Sequence, residues 1–227
     1  TRISVTERAI DIAVTAANPL KLPIGSRIVI GDAQATLAPG VQGLLGGNGY
    51  GTTATVGSAV RSGPTAWLAQ SCFGSTGTNR IASQSTVLLH TGAVVTHIVG
   101  SIGPAAADTR TTNQITTLNL LAGTVTADSI TAATHARATG GHVALDATGS
   151  GFTHLQVLGK TINASTVKPN TTITLPGIGT LTLRKTDTTT TGGLHKIAVT
   201  MVVLTILHGP QTGTTLTAAT ASASIRR

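Results

Sequence analysis

Charge is scarce in this 227-residue chain, where Asp, Glu, Lys and Arg together make up only 10% of the residues. Aromatic side chains are scarcer still, at 2%, and cysteine occurs once. Each shortage excludes something. Single-stranded nucleic acid is held by stacking platforms beside a basic groove, and Tyr50, Trp67, Phe73 and Phe152 are too few and too dispersed to build them. The net charge is +8, but Lys and Arg are scattered, with only Arg184-Lys185 and Arg226-Arg227 adjacent. The basic balance therefore supports no more than attraction to anionic wall polymers or to an acidic patch on a neighbouring subunit.

Cys72, being alone, forms no disulfide within the chain, and its expected state is a buried, inert thiol. The rival is an intermolecular disulfide. No apolar run approaches the roughly 18 residues of a membrane-spanning helix. Thr1 opens directly onto an alternating segment, from which we expect that the numbering starts after a removed signal peptide.

Catalytic patterns are missing as well. The seven carboxylates carry no spacing that identifies a facing acid and base pair. Asp128, in VTADSIT, has the most strand-like setting and reads as a turn or cap acceptor. Seven histidines form no H-x-H or H-E-x-x-H pattern, and no G-x-S-x-G elbow is present. Gly47, Gly49 and Gly51 lack phosphate-loop spacing, and the strand-like run after them offers no helix N-terminus. They suit bends and close backbone approach instead. No catalytic residue, cofactor or metal is expected.

What remains is a Thr-rich, 40% apolar sequence with turn signals about every ten residues, the pattern of an antiparallel β-sandwich or jelly roll. Repeats of fixed length, which a β-solenoid requires, do not emerge. The most informative stretch is 152–208. Ile173, Leu175, Leu181 and Leu183 alternate with Thr around a turn at LPGIG; TDTTTTGG reads as a polar crossing; and LHKIAVTMVVLTILH is apolar on both faces, as in a central strand buried on both sides. Residues 85–103 read as two short strands around Thr91-Gly92, PAAADTRTTNQ as a loop, and 118–143 as further strands.

At the other end, residues 1–17 read as a strand arm with Ile3, Val5, Ile10, Ile12 and Val14 as its apolar positions, interrupted by a turn or bulge at Thr6–Arg8. Pro19 and Pro23 stiffen a linker over 18–26, and 27–227 reads as one β-rich domain. The arm is either the first strand of the sheet or a strand donated to a neighbour.

Three stretches, LNLLAGTVTADSITAATHA (118–136), FTHLQVLGKTIN with PNTTITLPGIGTLTLRKTDTTTTGG (152–193), and LHKIAVTMVVLTI (194–206), resemble the choice-of-anchor P family of secreted actinobacterial surface proteins. The resemblance covers roughly residues 50–225 and implies an exported, β-rich envelope protein without known catalysis. It supplies no site residues. Family members typically carry a C-terminal anchor, whereas this sequence closes on LTAATASASIRR, so we expect either a removed anchor or retention by assembly. The resulting expectation is an extracellular structural protein that self-assembles into a filament or layer through residues 1–17. The alternative is a wall- or carbohydrate-binding module using Tyr50, Trp67 and Phe73. Asn163 and Asn170 head glycosylation sequons, and the Thr188–Thr191 run is a solvated loop or an O-glycan acceptor.

Overall fold

Alternating Thr, Val and Ile favour extended backbone, and strands dominate the computed structural model of the chain. The structure describes residues 3–13, 15–17, 27–37, 41–56 and 60–227. In chain order the strands are β1 (Ile3–Ala13), β2 (Arg27–Leu37), β3 (Leu44–Val56), β4 (Val60–Ser62), β5 (Leu68–Ala69), β6 (Thr76–Ile81), β7 (Gln84–Ser85), β8 (Leu89–Thr91), β9 (Val94–Ile102) and β10 (Ala106–Leu120). There follow β11 (Val125–Thr139), β12 (His142–Asp146), β13 (Gly151–Thr153), β14 (Gln156–Val157), β15 (Lys160–Thr161), β16 (Thr171–Leu175), β17 (Gly179–Thr191), β18 (Leu194–Ile206) and β19 (Thr214–Arg226).

The chain divides into two compact units, Thr1–Gly40 and Val41–Arg227. In the first, β1 and β2 form a two-stranded antiparallel sheet running from Ile3 opposite Leu37 to Ala13 opposite Arg27. Two expectations change. Thr6, Glu7 and Arg8 make no turn, because they stay in the ladder opposite Gln34, Ala33 and Asp32. Arg27–Leu37 belongs with the arm, so the boundary falls at Gly40 and not after residue 26. Val14 and the linker 18–26 lie outside the described residues.

The second unit is a sandwich of two antiparallel sheets. One is ordered β16-β17-β18-β19-β3-β4, with β5 also on β3. The other is ordered β15-β14-β11-β10-β8-β7; β12 and β13 join β11, and β9 links β10 to β6. Small residues let the layers approach closely. Ala218, Ala219, Ala221 and Ala223 of β19 are buried against β10 and β11, whose inward positions include Thr109, Thr111, Ala132 and Ala136. A methyl group on Gly49 of β3 would lie 2.7 Å from Thr96 Cγ2 and 2.9 Å from Thr111 Cγ2, both in the facing sheet. The larger core cluster joins Ile115, Leu118 and Ile130 to Leu181, Leu183, Met201 and Leu204. Burial of each such side chain contributes about 1.5–3 kcal/mol.

Both sheets carry a transverse row where the inward-facing parity slips by one. In β18 the buried residues are Ile197, Val199 and Met201, then Val202, Leu204 and Ile206. In β10 they pass from Asn113 and Ile115 to Leu118 and Leu120. Thr117 (φ 62°), Arg184 (φ 52°) and Ala219 (φ 53°) sit at these rows in the left-handed region. Alternation requires regular extended dihedrals, and a left-handed residue resets it. Arg184 and Ala219 each lie across from Met201, and Gly51 lies across from Ala219, so the slip crosses β17, β18, β19 and β3 together.

This slip corrects the reading of 194–208 as buried on both sides. Its apolar residues fill one interior in two phases, while Ala198, Val203 and Thr205 are only partly buried. Two expected loops are strands. PAAADTRTTNQ contributes most of the first half of β10, because Ala107, Thr109, Thr111 and Asn113 face inward. TDTTTTGG continues β17 as far as Thr191, paired to β18 throughout.

Candidate functional site

The apolar positions proposed for subunit contact, Ile3, Val5, Ile10 and Ile12, all lie in β1. Ile3 and Val5 precede, and Ile10 and Ile12 follow, the one step of the ladder without a pair, between Arg8 opposite Asp32 and Ile10 opposite Ile30. Ile10 is opposite Ile30 and Ile12 opposite Ile28, so β2 supplies a matching apolar pair in the register. The sequence reading missed that partner, although RIVIG carries the same alternation.

The three aromatic candidates do not form one platform. Tyr50 is half-buried within β3, opposite Thr220. Trp67 is 49% exposed and precedes β5, whose Leu68 lies opposite Gly49; its carbonyl accepts a hydrogen bond from Asn79 Nδ2 at 2.8 Å. Phe73 is 38% exposed beside Cys72, whose carbonyl accepts from Leu45 N at 2.9 Å. Leu45 is five residues along β3 from Tyr50, roughly 17 Å at strand spacing. Trp67 therefore stands near Tyr50 in the register, and Phe73 stands apart. Cys72 is exposed, contrary to the buried thiol expected, because it occupies the turn after β5 and no strand covers it.

A polar cluster that the sequence reading did not nominate spans β10, β11 and β12. Gly140 and Gly141 turn β11 into β12, setting His135 directly opposite Asp146. On the other side β10 brings Asp108 alongside. His135 Nδ1 lies 3.1 Å from Asp146 Oδ2, and Nε2 lies 3.0 Å from Asp108 Oδ2. Arg137 Nε is 3.9 Å from the same Asp108 oxygen. Partial burial pushes the Asp146 carboxyl up, but the Thr148 backbone N–H and hydroxyl together with His135 outweigh it and hold the carboxyl below its ordinary value. With a carboxylate on each ring nitrogen and no nucleophile among these contacts, the arrangement is a polar clasp across three strands. The signal for it was the Gly-Gly turn, which fixes the register of β11 and β12.

Asp128 is not a turn acceptor. It is exposed in β11, and its Oδ2 pairs with His154 Nδ1 at 2.6 Å. His154 reaches it from the bend after β13, at φ 49°. Among the described residues no three His, Cys, Asp or Glu side chains converge to hold a metal ion, and no helix is long and apolar enough to cross a membrane.

The two sequons differ. Asn163 Oδ1 accepts from Ser165 N at 3.1 Å and Ser165 Oγ at 2.8 Å. Asn170 bonds the edge of β17 through both side-chain atoms, Oδ1 accepting from Thr186 N at 3.0 Å and Nδ2 donating to Thr186 O at 3.3 Å. No known family, curated protein or solved structure matches the chain.

Proposed function

We propose that this protein is an extracellular structural component that assembles with copies of itself into a filament or surface layer, each chain adding its N-terminal hairpin to a neighbour's sheet. The observation that carries this reading is the two-stranded sheet of β1 and β2, with eleven residues in each strand. An isolated two-stranded hairpin is marginally stable in water. The edge of each strand outside the ladder presents backbone groups to pair, and strand addition turns them into main-chain hydrogen bonds across subunits. The donated element is then the whole hairpin, 3–37, with Ile3, Val5, Ile10 and Ile12 among its contact positions.

Low charge supports the same reading, since Thr-rich surfaces pack against one another without burying unpaired ions. The cell-surface location rests on the resemblance to the choice-of-anchor P family, and the +8 net charge adds anionic wall polymers as a second partner.

Negative-stain electron microscopy and sedimentation of the full chain test this, with Val5→Pro and Thr6→Pro prepared separately. Neighbouring strand residues point their N–H groups to opposite edges, so one variant removes a donor from the hairpin ladder and the other from the outer edge. Polymers from the wild type, lost in both variants while the circular dichroism of the body persists, support assembly. Monomers at every concentration sink it. The exposure of Trp67 favours one second reading, a wall- or carbohydrate-binding module. That reading predicts a monomer that binds insoluble polysaccharide and stops binding on Trp67→Ala.

A further inference from the structure

One end of the sandwich holds a cleft that neither the hairpin nor the aromatic positions use. It encloses about 290 Å³ where the second half of β3, the β7–β8 turn and the start of β19 meet. That volume lies near the lower end of small-molecule sites. Its walls are mainly apolar, from residues such as Leu89 and Leu216, and among the described residues no charged side chain lines it. At its rim Val87 is 92% exposed, an apolar side chain left in water at the tip of the turn.

The polar groups in the wall are not alike. Thr52 Oγ1 donates to Gln84 Oε1 at 2.6 Å, so this pair satisfies itself. Thr214, also in the lining, is fully buried, and its hydroxyl has no hydrogen-bond partner among the described residues. A buried hydroxyl without a partner is costly unless something supplies one. A mainly apolar lining with one buried, unpaired hydroxyl defines its own complement. Charged molecules are disfavoured, because no charged side chain of the described wall offsets their desolvation.

We propose that this cleft binds a small uncharged molecule, apolar over most of its length and ending in a hydroxyl or carbonyl oxygen that pairs with Thr214. At about 30 Å³ for each water-sized atom, the space takes on the order of ten non-hydrogen atoms. The site does not depend on self-assembly.

The test is a titration of the full chain, labelled with nitrogen-15, with 1-hexanol and separately with hexanoate, followed by amide chemical shifts. Saturable shifts confined to β3, β7–β8 and the start of β19, given by hexanol and not by hexanoate, are the expected result. Thr214→Val keeps the shape and removes the hydroxyl. It is expected to weaken hexanol about two- to tenfold, the worth of one neutral hydrogen bond, and to raise the melting temperature by removing an unpaired group. Non-saturating shifts spread over the surface, equal binding of hexanoate, or unchanged affinity in the variant would each overturn the proposal.

Discussion

At Gly49 and Gly51 the two sheets of the body approach closely, and adding a single carbon there should be felt by the whole sandwich. At Gly49 the new methyl meets Thr96 Cγ2 at 2.7 Å and Thr111 Cγ2 at 2.9 Å; at Gly51 it meets Val94 Cγ1 as well as Thr65 Oγ1 at 2.8 Å. Contacts under 3.0 Å force movement. Thr96, Thr111 and Val94 are fully buried, with no room to swing away. Overpacking of this kind costs about 1–3 kcal/mol. Two clashes under 3.0 Å place Gly49→Ala at the upper end of that range, about 2–3 kcal/mol, and alanine gains about 1 kcal/mol by restricting the unfolded chain, so the net loss should be about 1–2 kcal/mol. For a body of this size each kcal/mol moves the melting temperature by about 2–4 °C, giving a fall of about 2–8 °C by calorimetry. Gly51→Ala should fall further, and Val94→Ala in the same chain should return part of the loss, because the two changes share one contact. Unchanged melting in both glycine variants, or strict additivity of Gly51→Ala with Val94→Ala, would refute the close-approach reasoning.

The clasp around His135 makes a prediction about acid. The Asp146 carboxyl sits below its ordinary value of 3.8 in the folded chain, so its stabilising contribution is present above pH 3.8 and is lost as the pH falls through the lower folded value. Asp146→Asn should therefore melt below the wild type at pH 6, with the gap closing below pH 3.8; a gap that widens in acid contradicts this. Cys72, being exposed, should react fully with a thiol reagent in the native protein at the rate of a free cysteine. Slow reaction that needs denaturant would return it to the interior. Asn113 is fully buried and bridges strands through Thr96 Oγ1 at 2.8 Å. Asn113→Ala should cost about 1–3 kcal/mol in denaturant unfolding by leaving that network unpaired.

The parts of the fold legible in the sequence were those with apolar residues at inward positions. Ile173, Leu175, Leu181 and Leu183 announced β16 and the first half of β17, and LPGIG announced the turn between them. The missed strands have small or polar residues facing the core. Ala107, Thr109 and Thr111 gave β10 the look of a loop, and TTLTAATASASIR concealed a central strand behind Ala, Ser and Thr. An apolar-polar count fails there because close packing selects for size before hydropathy. The parity slip misled in the opposite direction: a strand with its apolar residues on one interior reads as apolar on both faces when the phase changes at Met201 and Val202. Of the candidate sites, exposure of Trp67 and Phe73 followed from their turn-rich surroundings. The His135 clasp required a register that single-residue inspection does not supply.

The ends of the body's outermost segments bear on how it meets mechanical force. The first pair of the β3–β19 ladder, Leu44 with Arg226, joins the start of one strand to the end of its antiparallel neighbour. Tension applied between those two points pulls the strands apart from one end, breaking one pair after another as a zipper opens. Shear along the strands would load all of the pairs at once. Between Leu44 and Arg226 the body is thus compliant to pulling and stiffer to shear along its strands.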